Sequence, residues 1–368
     1  MTKPNEQLSS LLQTHIDAGE FPSAVYLVAE RDQIVYEDAL GHSVVEPYRI
    51  ANKLDTIYDL ASLTKPLVTT LLCARRIELG ELTLDSSVSH YLAEFDRTDK
   101  QIITIRELLT HTSGLPAWRP LYLLAEDEPE RTAGAIANLE LEYKPGMRVV
   151  YSDLGFIALG ILLERMSHHS LAELAKHEIF EPLKLTQTFF NPELALQTGI
   201  AACETGNAYE ADMVKQSGAE YANSRQRLIW GEVHDGNAYF LGGAAGHAGL
   251  FSTARETFAI TQQFLADTTK LLTSKTCRLF RENMTPGFEE ARSIGWQLAA
   301  TKDSTAGAEL PPDSFGHNGF TGTCVWIDPQ HLRTFILLTN RTHARALPFA
   351  NINAVRREFN RLAVKSLK

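Results

Sequence analysis

No apolar run in this 368-residue chain approaches the 18 residues that a membrane-spanning helix needs. The opening stretch, "MTKPNEQLSS", lacks the apolar core of a signal peptide, so the expectation is a cytoplasmic protein, or a periplasmic one whose leader has been removed. Cysteine is scarce. Cys73, Cys203, Cys277 and Cys324 lie far apart with no C-x-x-C pair, which fits no zinc or redox motif; the even count permits two disulfides, and scattered buried thiols are the expectation. Positive charge is short: 35 Lys and Arg face 45 Asp and Glu, a net charge of −10. A nucleic-acid binder needs a basic face, so no nucleic-acid partner is expected. Also missing are G-x-S-x-G, G-x-x-x-x-G-K-[ST] and H-E-x-x-H. "GGAAGHAG" at 242–249 does not have the spacing of a dinucleotide loop, and His168-His169 reads as a solvated turn. No metal and no cofactor is expected.

What is present is an ordinary globular composition, 44% hydrophobic and 22% charged, with enough chain for about two domains. Leu8, Leu11, Leu12 and Ile16 recur at helical spacing up to Gly19. "AVYLVAE" and "IVYEDALG" around a polar "RDQ" predict a hairpin. Leucines three and four apart predict helices over 63–79, 104–111, 153–166 and 171–180, with long loops near 115–135 and 200–240. "IGWQLAA", "TCVWIDP" and "RTFILLTNR" predict strands, and a last helix covers roughly 348–364. A hairpin, a helical block and an antiparallel meander bury their apolar faces most simply as one sheet made from both chain ends. That gives an α/β (α+β) fold. Residues 1–60 and 241–368 form a sheet domain, 61–240 a mainly helical lobe, and the cleft between them is the default site.

"DLASLTKPLVTT" at 59–70 carries Ser62 three residues before Lys65. With 20 serines and 13 lysines, chance alone gives about 0.7 such pairs, so the motif needs company. Pro66 forces the following helix to begin near Ser62, which puts the hydroxyl in a first turn with free N–H groups. The spacing sets Lys65 on the same face, where a desolvated amine can take a proton from the hydroxyl. Tyr151, in "RVVYSDLGF", stands between a short extended run and an apolar helix, and a phenol beside a cation can pass protons. "FGHNGFTGT" at 315–323 sets three glycines beside the strand "CVWID", which suits close backbone approach by a ligand. "THTSGLP" reads as structural, with His111 and Ser113 shaping a turn at a helix end, and Thr253-x-x-Glu256 reads as a capping box.

Together, Ser62-Leu63-Thr64-Lys65, Tyr151-Ser152-Asp153 and His317-Asn318-Gly319 resemble the three ordered motifs of the class C β-lactamase and penicillin-binding-protein superfamily. "LLTHTSGLP" at 108–116 and "GHAGLFST" at 246–253 are similar to segments of its hydrolase and esterase branch. The resemblance runs from about residue 20 to 345 and implies a β-lactamase/transpeptidase-like fold and an acyl-enzyme mechanism. It implies Ser62 as nucleophile, Lys65 and Tyr151 as the base system, and the N–H groups of Ser62 and Phe320 as oxyanion donors. Asp153, His317, Asn318, Gly319 and His247 are the expected substrate contacts.

Two positions depart from that pattern. The second motif usually ends in asparagine, and ionised Asp153 can only accept hydrogen bonds. The third usually begins with lysine, and His317 is largely neutral at pH 7. Both changes weaken anion capture, so the expected substrates are esters, small amides or cell-wall peptide fragments. The alternatives are a true β-lactamase or D-alanyl-D-alanine carboxypeptidase and, among non-enzymes, a penicillin- or peptidoglycan-fragment sensor. The oligomeric state is open.

Overall fold

The protein is described by a computed structural model covering residues 3–97 and 99–368. Nine strands are described: β1 Ser23–Glu30, β2 Gln33–Val44, β3 Ile50–Ala51, β4 Tyr58–Asp59, β5 Phe251–Ser252, β6 Gln297–Leu298, β7 Phe315–Asn318, β8 Cys324–Asp328 and β9 Arg333–Thr339. Seven of them form one antiparallel sheet in the order β3-β2-β1-β9-β8-β7-β6. The seam between the chain ends is β1 against β9, with Tyr26 opposite Leu337. β4 and β5 pair separately, directly ahead of the Ser62 turn.

The sheet is apolar on both faces because helices cover both. On one face Ala24, Tyr26 and Val28 of β1 meet Leu8 and Leu12 of helix Glu6–Asp17 and Val355 and Phe359 of helix Asn353–Ser366. On the other, Val25, Leu27 and Ala29 join the larger core, which holds Leu63, Leu67, Leu71 and most of helix Asp153–Ser167. Each such fully buried aliphatic or aromatic side chain contributes roughly 1.5–3 kcal/mol relative to exposure.

Several expected elements differ in form. The predicted helix over 63–79 is three pieces: a 3₁₀ turn Ala61–Leu63, a π-helical stretch Lys65–Thr70 and α-helix Leu71–Glu78. Pro66 at the start of the π stretch has no N–H to give, and π turns gather where a functional side chain must be aimed. "IGWQLAA" contributes only Gln297–Leu298 to the sheet, and Trp296 is wholly buried. The stretches read as loops contain short helices, Leu121–Leu124, Thr132–Ala137, Ala208–Gln216 and Gly236–Phe240. Segments this short show no apolar stripe to read. The box at Thr253 is half formed. Its hydroxyl accepts the Glu256 N–H, while the Glu256 carboxylate turns to the N–H groups of Thr186 and Gln187 and the hydroxyl of Thr188. Among the described residues no helix is long and apolar enough to cross a membrane.

Candidate active site

Ser62 sits in a turn fixed from three directions. Asp59 accepts the Ala61 N–H at 2.8 Å, and Ala61 takes a left-handed φ of 48° that only a well-supported non-glycine holds. Thr64 Oγ1 donates to the Ala61 carbonyl at 2.7 Å. From the β7–β8 connection, the Thr321 and Thr323 hydroxyls donate to the carbonyls of Asp59 and Leu60 at 2.8 and 3.0 Å. These bonds tie the Ser62 turn to the segment that carries Gly319 and Phe320. Glycine at 319 is obligatory for that approach, since a Cβ there would overlap Thr323 Oγ1 and the Leu60 carbonyl oxygen.

Lys65 is wholly buried, donates to Ser62 Oγ at 2.9 Å and to the His247 carbonyl at 3.1 Å, and forms an ion pair with Asp153 Oδ1 at 2.7 Å. Burial pulls its pKa down, but the charges of Asp153 and Tyr151 outweigh that and hold it above the usual lysine value. Its ammonium also stands 4.9 Å from the centre of the Tyr151 ring. The Tyr151 phenol faces the same cleft as Ser62. Burial raises its pKa, the Lys65 cation lowers it in part, and Asp153 raises it again.

The Tyr151 segment is pinned by the "HTSGLP" turn. His111, at φ 58°, accepts the Ser152 N–H on Nδ1 at 3.0 Å, and its ring lies 4.6 Å from that of Tyr151. Ser152 Oγ donates to the Pro116 carbonyl at 2.6 Å and caps helix Asp153–Ser167. Burial and the Arg292 and Lys65 cations keep His111 far below the usual imidazole value, so it is a neutral acceptor. Gly160 and Gly246 let the backbone of that helix touch the 246–249 segment, and a Cβ on either would overlap the other's chain. The close pass aims the His247 carbonyl at Lys65.

The sequence-derived residues therefore divide. Ser62, Lys65, Tyr151, Asp153, His317, Asn318, Gly319 and Phe320 all line one cleft of about 600 Å³, apart from Lys65, which lies beneath its floor. The His247 imidazole does not face this cleft. It is buried and bonds Asp235 Oδ1 at 2.8 Å, so the residue reaches the site through its carbonyl. Asp153 faces Lys65. Asn318 Oδ1 accepts the Thr305 hydroxyl at 3.0 Å. His317 Nδ1 lies 2.9 Å from the Asn318 carbonyl, which makes that nitrogen the protonated one and leaves Nε2 bare. Burial and Arg292 hold His317 well below the usual imidazole value.

Sequence reasoning missed much of the cleft lining, four charged or polar residues among it. Arg292 is buried, ion-paired to Glu290 at 2.6 Å, and stands 5.7 Å from the Tyr151 ring centre. Asp235, Asn207 and Glu210 form part of the opposite wall. None belongs to a motif; only the neighbouring "GHAG" drew notice to that wall. Among the described residues no group of three or more His, Cys, Asp or Glu is placed to hold a metal.

Comparison with known proteins agrees with this fold. The family model described as Beta-lactamase matches residues 8–356. A protein of Escherichia coli (strain K12) named "Putative D-alanyl-D-alanine carboxypeptidase" is 31% identical, over 92% of this chain and 82% of its own. A Salmonella typhi protein of the same name is 32% identical over 94% and 84%. Among solved structures, the hydrolase EstCE1, titled as having promiscuous acyltransferase activity, superposes with a TM-score of 0.74 at 22% identity, covering 96% of this chain and 97% of that one. A penicillin-binding protein homologue from Pyrococcus abyssi gives 0.71 at 20%, over 91% and 73%, and a class C beta lactamase 0.73 at 15%, over 99% and 97%. The chain belongs to the beta-lactamase family of serine hydrolases.

Proposed function

We propose that Ser62 is acylated by esters and by peptides of the D-alanyl-D-alanine type, with Lys65 and Tyr151 managing its proton. The observation that carries this reading is the Lys65 Nζ to Ser62 Oγ bond of 2.9 Å, with the Tyr151 ring centre 4.9 Å from the same ammonium. The base is the Lys65–Tyr151 pair with one proton removed: a phenolate beside an ammonium. Ser62 Oγ gives its proton to the phenolate as it bonds the carbonyl carbon. The carbonyl electron pair moves to oxygen, facing the N–H groups of Ser62 and Phe320. Collapse returns that pair, breaks the bond to the leaving group, and sends the Tyr151 proton to it. Water then repeats the sequence on the acyl-enzyme and frees Ser62. The peptide class is favoured because the curated relatives that share about a third of their residues with this chain are named for it. Asp153 and neutral His317 leave the usual carboxylate grip of a β-lactamase short of donors, which supports slow turnover of β-lactams.

The test is kcat/KM for p-nitrophenyl acetate, nitrocefin and a peptide ending in D-alanyl-D-alanine, for wild type and Ser62→Ala. The expected order puts nitrocefin last, with loss of at least about a thousandfold on the substitution. Retained hydrolysis by Ser62→Ala would overturn the assignment.

A further inference from the structure

The two N–H groups assigned to the oxyanion each belong to a peptide unit that has its own carbonyl. A trans peptide is planar, and its C=O points away from its N–H. Whatever grips the carbonyl therefore fixes the direction of the donor. For the Ser62 N–H the carbonyl is that of Ala61, which accepts the Thr64 hydroxyl at 2.7 Å and the Thr64 N–H. For the Phe320 N–H it is that of Gly319, which accepts the Gly322 N–H at 3.1 Å and Nη2 of Arg356 at 2.7 Å. Among the described residues no carbonyl accepts the Phe320 N–H. The same device serves both donors, with neutral groups behind one and a cation behind the other.

Arg356, on helix Asn353–Ser366, is 6% exposed, and burial lowers its pKa only to about 10, so it remains a cation at pH 7. The buried guanidinium groups of Arg225 and Arg292 have Glu232 and Glu290. Among the described residues no carboxylate pairs with Arg356. Its Nη2 is shared by the carbonyls of Gly319 and Thr323, at 2.7 and 3.0 Å, and its Nη1 donates to Asn353 Oδ1 at 2.9 Å. A buried charge without a counter-ion costs stability, and its field falls on the dipoles it touches. One of those dipoles ends in the Phe320 N–H. Drawing electron density to the Gly319 oxygen makes that N–H a stronger donor. Arg341 holds the next carbonyl, that of Phe320, through Nε at 2.7 Å, with its guanidinium 4.8 Å from the Phe320 ring centre. Two cations thus grip successive carbonyls of one short segment.

We propose that Arg356 is a positioning residue for acyl transfer, which aims and polarises the Phe320 N–H through the Gly319 carbonyl. The inference rests on the acyl-transfer reading of the cleft and deepens it. It gives the last helix of the chain a part in stabilising the transition state.

The experiment is steady-state kinetics of the full chain on p-nitrophenyl acetate, with inhibition by phenylboronic acid. The tetrahedral adduct of that acid on Ser62 sets an oxygen on the donors that the transition state uses. Arg356→Gln should lower kcat by about tenfold and weaken phenylboronic acid by about the same factor. KM should stay within about twofold, because acylation and deacylation use the same donors. Arg356→Lys, which keeps the cation with fewer donors, should lose about threefold and serves if Arg356→Gln does not fold. An unchanged kcat, a lowered kcat with phenylboronic acid unaffected, or a wild type that phenylboronic acid does not inhibit overturns the inference. Ser62→Ala separates it from the acylation reading. Ester hydrolysis retained by Ser62→Ala would sink that reading, whereas an inactive Ser62→Ala beside a fully active Arg356→Gln would sink the role of Arg356 alone.

Discussion

The two walls of the cleft are built on opposite principles. On the Ser62 wall the backbone is tied down by side chains: Lys65 bonds Ser62 Oγ and the His247 carbonyl and pairs with Asp153, His111 holds the Ser152 N–H, and two threonine hydroxyls hold the carbonyls ahead of Ser62. On the Asn207–Glu210 wall the buried Glu210 carboxylate bonds only neutral groups, the Asn207 side chain and the Gly236 N–H, and Tyr209 is 42% exposed. A wall that makes its own bonds is organised before substrate arrives, as charge development in a transition state demands. A wall that buries a carboxylate without a cation carries a charge cost that the Ser62 wall avoids by pairing Asp153 with Lys65.

The comparison breaks most visibly at the nucleophile. Ser62→Ala should remove at least about a thousandfold of turnover while leaving the fold intact, because in the proposed mechanism Lys65 and Tyr151 act only through that hydroxyl. Next comes Gly319→Val, which forces its side chain onto Thr323 Oγ1 and the Leu60 carbonyl. The overlap pushes the Phe320 segment away from the Ser62 turn, and kcat should fall by about a hundredfold, the worth of one misplaced oxyanion donor. Steady-state kinetics on p-nitrophenyl acetate read both. A kcat for Gly319→Val near wild type would show that the two segments need not touch.

Asp153→Asn sharpens the same wall without emptying it. The carboxylate stabilises the Lys65 ammonium and disfavours the Tyr151 phenolate, so it raises both pKa values. Its removal lowers both, and the deprotonated pair forms at lower pH. The acid limb of the kcat/KM profile should therefore move down. An unmoved or raised limb would mean that the pair does not supply the base.

How much of this was legible differs between the walls. The β1–β2 hairpin and strands β8 and β9 were readable because alternation and β-branched runs record burial on a sheet face. That Ser62, Lys65 and Tyr151 come together was readable because order and spacing along the chain survive in the string of letters. The partner of Asp153 was not, since reading it as a substrate contact required knowing that helix Asp153–Ser167 starts beside Lys65. His247 was singled out for its imidazole, whereas the structure turns that ring to Asp235 and brings the carbonyl to the lysine. Arg292, Asn207 and Glu210 meet the cleft through turns and one short helix whose positions are set by tertiary contacts, and single letters carry no trace of that.

On the second wall the next effect is on stability. Glu210 has its pKa raised to about 7 by burial and Asp235, so folding disfavours its charged form. For a carboxyl whose folded value lies above its unfolded value, stability is full below the unfolded pKa and is lost as pH rises toward the folded one. Glu210→Gln removes that loss. The variant should gain in Tm over wild type between pH 5 and pH 8, by a few degrees, with little difference at pH 4. Thermal unfolding across that range measures it, and a gain confined to acid pH would mean that the charge is stabilised after all.

The smallest effect belongs to Phe349. Its ring lies 6.1 Å from that of Phe320 and 6.3 Å from that of Tyr209, on the rim of the cleft and away from the proton-handling groups. Phe349→Ala removes an apolar surface that substrate covers equally in the ground state and the transition state. Such uniform binding appears in KM alone, so KM should rise by about threefold with kcat unchanged. A fall in kcat instead would place this rim among the groups that the transition state grips, and the division between a catalytic wall and a receiving wall would then run elsewhere in the cleft.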